Sequence, residues 1–149
     1  MAEKHHVLIL NGPNLNMLGE REPDLYGSTT LAEIAVDCEE YADELEMTVD
    51  FRQSNNEGDL ITLIQQFKSK GDGIIINAGA YSHTSIALHD ALKMIDMPII
   101  EVHLSNIFAR ESFRHHSYIS SVANGTITGF GAYSYIMAID AIKNLIDNA

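Results

Sequence analysis

The chain has 149 residues, of which 46% are hydrophobic and 20% charged, and its formal net charge is −12. These proportions fit a globular protein, and the length suits one domain, residues 1–149, able to bury a core. The acidic balance argues against nucleic acid or an anionic membrane as partner, but not against a small anionic substrate met by a few clustered arginines.

A first strand is expected at residues 7–10, a short run of Val, Leu and Ile. The connection after it, residues 11–27, is about three times longer than an ordinary strand-to-helix loop. It holds Asn14, Asn16, Arg21 and Tyr26 among three Gly and two Pro. A first helix is expected over 30–47, with Leu31, Ile34, Ala35, Cys38, Ala42 and Leu45 on one face and a capping box from Thr30 to Glu33. A second strand follows at 48–53 and a second helix at 59–70, with Leu60, Leu63, Ile64 and Phe67 inward. Gly73–Asn77 reads as a third strand. A third helix is expected after Ala80, opened by Gly79 to His83, with Ile86, Ala87, Ala91, Leu92 and Ile95 apolar. It stops before Pro98. Strands at 98–102 and Gly125–Thr128 and a last helix at Tyr133–Asp147 complete the chain.

Several strands are continuous apolar runs rather than alternating ones, the pattern of a parallel sheet covered on both faces. The alternation βαβαβαβαβα predicts an α/β fold: a flavodoxin-like, doubly wound, five-stranded parallel sheet of order 2-1-3-4-5. Its site belongs at the carboxyl ends of strands 1, 3 and 4, where the unusual residues fall.

Glu101 and His103 are two apart on a strand and so share a face. A carboxylate beside an imidazole fixes its tautomer and favours its charged form, which suits a general acid. A histidine that merely ends a strand is the other reading. The following Leu104, Ser105 and Asn106 offer N–H groups and a hydroxyl for a carboxylate. Arg21 and Tyr26 share the long loop, and a guanidinium favours a phenolate base. Spacing alone leaves open a tyrosine that only packs there. Asn14, Asn16 and Asn77 orient hydroxyls or serve turns. His83, at the start of a helix, is expected to have a depressed pKa. Arg110 and Arg114 either meet an anion together or pair with Glu111.

The chain lacks a Walker loop, a Gly-x-Gly-x-x-Gly turn, a Gly-x-Ser-x-Gly elbow and metal-ligand spacing. Acid, base, arginines and amides point to proton transfer or elimination on a polyhydroxylated anion, with no cofactor and no metal. The alternatives are a non-catalytic binding module and a scaffold that has lost activity. Cys38, alone in the sequence, fits a buried thiol in a reducing compartment. No run reaches the ~18 apolar residues of a membrane span, and no signal peptide is evident, so a cytoplasmic location is expected.

Five blocks resemble the type II 3-dehydroquinate dehydratases: Asn11-Gly-Pro-Asn-Leu-Asn-Met-Leu-Gly19 with Arg21-Glu-Pro and Tyr26-Gly; Gln53-Ser-Asn-Asn-Glu-Gly58; Ile76-Asn-Ala-Gly-Ala-Tyr-Ser-His-Thr-Ser85; Glu101-Val-His-Leu-Ser-Asn106; and Arg110-Glu-Ser-Phe-Arg-His115. The resemblance implies a cofactor-free lyase of the shikimate or quinate pathway, which dehydrates 3-dehydroquinate by anti elimination through an enolate. It implies Tyr26 as the base, assisted by Arg21, and His103 as the acid, held by Glu101. Asn14 would hold a water at the enolate oxygen. Leu104 and Ser105 would bind the carboxylate, and Asn77, His83 and Arg114 the ring hydroxyls. Asp90 would reach a neighbouring subunit's site, because the family forms dodecamers built from trimers. His89 stands where many members carry Arg, and Ser134 where glycine is usual, from which only a packing effect is expected.

Overall fold

The computed structural model describes residues 4–20, 22, 24 and 28–149. Five strands form one sheet: β1 (His5–Asn11), β2 (Met47–Gln53), β3 (Gly73–Asn77), β4 (Ile99–His103) and β5 (Gly125–Thr128). Their order is β2-β1-β3-β4-β5 and every pairing is parallel, as the sequence predicts. The helices are α1 (Leu31–Glu44), α2 (Glu57–Phe67), α3 (Ile86–Lys93) and α4 (Tyr133–Asp147).

Successive strand residues face opposite sides of a sheet, and each side here has its own helix layer. Val7, Ile9, Ile75, Ile100 and Val102 pack with Ile34, Cys38 and Ala42 of α1 and Tyr135, Ala138, Ile139 and Ile142 of α4. Leu8, Leu10, Ile74, Ile76 and Ile99 pack with Leu60, Ile64 and Phe67 of α2 and Leu88, Ala91 and Leu92 of α3. The continuous apolar runs are therefore in β1 and β3; β4, the third inner strand, is also buried but carries Glu101 and His103 among its apolar residues. The outer strands, β2 and β5, stay partly exposed. Cys38 lies within the first layer with no exposed surface.

The ends of the helices differ from the periodic reading. Thr30 caps α1 through the expected box with Glu33. The helix stops at Glu44 rather than 47, because Glu46 takes a left-handed φ of 58° and turns the chain into β2. The second helix begins two residues early, at Glu57, because the Asn56 side chain accepts the Asp59 N–H. The third begins late. Gly79–His83 forms a separate 3-10 turn, and Ser85 caps α3 by accepting the Leu88 N–H. That shift turns Leu88 inward and leaves Ile86 and Ala87 exposed, contrary to expectation.

Register places the functional ends side by side. Asn11 of β1 pairs with Gln53 on one side and Asn77 on the other. Glu101 lies between Ile76 and Thr126, and His103 opposite Thr128. Just past these ends, Gly12 N–H donates to the Asn77 carbonyl at 2.8 Å. A Cβ at Gly12 would lie 2.3 Å from the Ala78 carbonyl oxygen, so only glycine permits this approach.

Candidate active site

A cavity of about 240 Å³ opens at the carboxyl ends of β1, β3 and β4. Asn14, Asn77, His83, His103, Leu104, Ser105 and Arg114 line it together, along with Arg110. Seven of the residues expected from the sequence thus converge on one hollow. Arg21 and Tyr26 lie outside the described residues. The described ends of their loop meet: a Cβ on Gly19 would sit 3.1 Å from the Ser28 carbonyl oxygen. Asp90 does not line the cavity; it is exposed on α3.

His103 is the last residue of β4 and 5% exposed. Its Nε2–H donates to Glu101 Oε2 at 2.5 Å, and Glu101 is fully buried behind it. A buried carboxylate is stable only when its lone pairs are filled. Here Ser117 donates to Oε2 at 2.6 Å, while Ser120 and Thr126 donate to Oε1, the latter at 3.3 Å. Burial pushes the Glu101 pKa up, but the bond and charge of His103 and the two serine hydroxyls outweigh it, and the pKa lies below the ordinary value. With Nε2 committed to Glu101, Nδ1 is the nitrogen of His103 that remains for a substrate.

The His83 ring stacks on that of His103, with centroids 6.2 Å apart and planes at 17°. Its Nδ1–H donates to the His116 carbonyl at 2.8 Å, which leaves Nε2 as its second site. The His83 pKa is lowered, as expected, but for another reason. Burial is the first cause, with His103 and Arg114 adding positive charge nearby. No helix starts at His83; it ends the 3-10 turn.

Arg114 Nε donates to Glu111 at 3.2 Å, and Arg110 Nε lies 3.7 Å from the same carboxylate oxygen. Arg110 Nη1 also donates to Ser105 Oγ at 3.1 Å. The pairing with Glu111 is thus the reading that the contacts bear out, and both arginines also line the cavity.

The amides are held differently from one another. Asn14 has a left-handed φ of 68°, and its N–H donates to the Asn55 side chain at 3.0 Å. Gln53 Nε2 binds that same Asn55 oxygen at 3.2 Å and the Gly12 carbonyl at 3.2 Å. The Asn77 side chain donates to the Tyr135 hydroxyl at 2.9 Å and accepts the Gly79 N–H at 3.3 Å. Tyr135 in turn donates to Asn11 at 2.6 Å, and burial pushes its phenol pKa up. One N–H and one lone pair of Asn77 are left for a ligand.

A model of the family Dehydroquinase class II matches residues 5–143. The chain belongs to the type II dehydroquinases. A 3-dehydroquinate dehydratase of Dinoroseobacter shibae is 57% identical over 137 residues, covering 92% of this chain and 91% of that protein. One from Rhizobium johnstonii is 52% identical over 139 residues, covering 93% and 96%. The crystal structure of the type II dehydroquinase of Butyrivibrio crossotus superposes with a TM-score of 0.93 at 43% identity, covering 95% of this chain and 99% of that one.

Within this type II dehydroquinase framework, some side chains around the site were not picked out by sequence reasoning. Ser117, Ser120 and Thr126 on Glu101 carry no motif of their own. Tyr135 was legible only as an apolar helix position. Gln53 and Asn55 fell within a resembling block, but nothing there showed that they clamp Asn14. Ser134 does more than pack, since its hydroxyl accepts the Phe130 N–H at 3.2 Å in the turn before α4. His89, in place of the usual Arg, donates through Nδ1 to the Tyr118 carbonyl at 2.7 Å.

Proposed function

We propose that this pocket dehydrates 3-dehydroquinate to 3-dehydroshikimate by anti elimination, with His103 as the acid. Family membership gives the activity, a hydro-lyase reaction of the shikimate pathway or of quinate breakdown. The observation that carries the residue assignment is His103 at the pocket wall, its far nitrogen fixed by a buried, ionised Glu101.

In this reading Tyr26, assisted by Arg21, removes the C2 proton, and the electron pair moves onto the ketone oxygen as an enolate. A water on Asn14 stabilises that oxygen. Collapse of the enolate then breaks the C1–O bond, and His103 protonates the departing hydroxyl, which leaves as water. Ser105, the Leu104 N–H and the nearby arginines receive the carboxylate. Asn77, His83 and Arg114 receive ring hydroxyls. The loop containing Arg21 and Tyr26 excludes water from the enolate. Nothing in this scheme calls for a cofactor or a metal.

The test is the absorbance of the conjugated enone when purified protein meets 3-dehydroquinate. Turnover is expected to survive borohydride treatment, since no lysine Schiff base forms. Tyr26→Phe and His103→Ala are each expected to lower kcat by about 10²-fold or more with the fold retained by circular dichroism. Wild-type-like turnover in Tyr26→Phe would remove Tyr26 as the base. The same outcome in His103→Ala would remove His103 as the acid.

A further inference from the structure

We propose that Ser117 and Ser120 are positioning residues for acid catalysis: their hydroxyls fill the lone pairs of Glu101 that His103 leaves open and so fix the carboxylate as the acceptor of His103 Nε2–H. The proposal rests on the assignment of His103 as the acid.

A carboxylate offers about four lone-pair sites. Glu101 uses Oε2 for His103 and Ser117, and Oε1 for Ser120 and Thr126. The direction of the Ser117 bond is set by the backbone. Ser117 Oγ already accepts N–H groups from Ile119 at 3.1 Å and Ser120 at 3.4 Å. With both lone pairs used, its proton can only be given away, and Glu101 is the acceptor in reach. A proton on Oε2 would find no acceptor at Ser117, so this contact keeps Oε2 unprotonated. Ser117 and Ser120 lie 16 and 19 residues beyond Glu101, on a segment whose Ile119 is fully buried in the core. The hydroxyls are thereby held by packing rather than by the glutamate itself.

The charged and titratable surroundings do not duplicate this role. On β4 itself the partner is His103. From the Gly79–His83 turn, His83 stacks on His103 rather than on the carboxylate. From α3, His89 is turned to the Tyr118 carbonyl. Arg110 and Arg114 are paired with Glu111 across the cavity, and β5 supplies only the neutral Thr126. Glu101 sits below the ordinary carboxylate value despite burial, through His103 first and the Ser117 and Ser120 hydroxyls after it.

The experiment uses the full chain as Ser117→Ala, Ser120→Ala, the double variant and Ser120→Thr. Two readouts are followed against pH. One is the infrared C=O band of protonated Glu101, assigned by its loss in Glu101→Gln. The other is kcat with 3-dehydroquinate. In the double variant the band is expected to appear at a pH higher by about one unit or more, and the acid limb of kcat to move with it. KM is expected to change less than kcat, and Ser120→Thr to retain the parent profile. Ser120 is exposed, so Ser120→Ala keeps the comparison available if the double variant does not fold. An unmoved band overturns the proposal. So does a band that moves while the kcat profile stays in place, or a uniform loss of kcat at every pH. If His103→Ala keeps full activity, the acid assignment fails instead, and the infrared shift still reports whether the hydroxyls hold Glu101.

Discussion

His103 depends on a charge that it hides from water. Because the Glu101 pKa is lowered in the folded chain, its ionised form contributes stability that is present above the unfolded carboxylate value. That contribution is lost as pH falls through the folded value. Acidification below about pH 4.5, the unperturbed glutamate value, is therefore expected to lower the Tm. Glu101→Gln, less stable at neutral pH, should show a shallower decline over that range in calorimetric scans. An equal slope in both proteins would mean that Glu101 is not the group responsible. Asn14 poses a separate question, because it holds a left-handed φ of 68°. Asn14→Gly adopts that backbone freely and lacks the amide, so kcat should fall at least about tenfold with the Tm little changed. Asn14→Ala should lose activity and also about 1 kcal/mol of stability by chemical denaturation. The residues proposed to act by type and local spacing, His103 with Glu101 and the two arginines, were legible in the sequence. Ser117 and Ser120 were not, because their role depends on a segment folding back across the carboxylate. Tyr26 and Arg21 were legible as a pair in a long loop, and the family resemblance rather than spacing gave them roles.

The elements were legible because hydrophobic period tracks burial. Two inner strands, β1 and β3, read through unbroken apolar runs, and α1 shows a clean stripe through Ile34, Cys38 and Ala42. Boundaries were harder, since each depends on one residue's conformation or cap. Glu46 reverses the chain, Asn56 and Ser85 set two helix starts, and none of these alters periodicity. The junction between β1 and β3 is the element most sensitive to size. Gly12→Ala would force its Cβ against the Ala78 carbonyl and so displace the segment between Asn77 and Gly79. A loss of about 1–3 kcal/mol by chemical denaturation is expected, together with a higher KM. Unchanged stability in that variant would show that the strand ends separate at little cost.

On the scale of the whole molecule, the pocket of one chain holds seven of the expected residues but not Asp90. That residue lies on α3 with exposed Ile86, and exposed Met94 follows the helix; the two are 57% and 53% accessible. Were the chain to assemble as the dodecamer of trimers that the family resemblance implies, this face would be the one to meet a second copy, with Asp90 reaching the neighbour's site. Asp90→Ala is then expected to lower activity while sedimentation shows the oligomer intact. A dissociated, folded chain with full turnover would remove both the residue and the assembly from the mechanism. The net charge of −12 gives no hint of a pocket for an anion. Arg110 and Arg114 create a local basic wall that the total conceals.

Cys38 has no accessible surface, and burial, reinforced by Asp37 and Glu39, pushes its thiol pKa up to about 12. It lies on α1, packed with α4 against the sheet. A thiol reagent can therefore reach it only when the packing around it opens. The protein carries its own stopwatch. The rate at which an aromatic disulfide labels Cys38 times the opening of the packing around it, and a ligand that binds only the folded chain is expected to slow labelling that proceeds through unfolding.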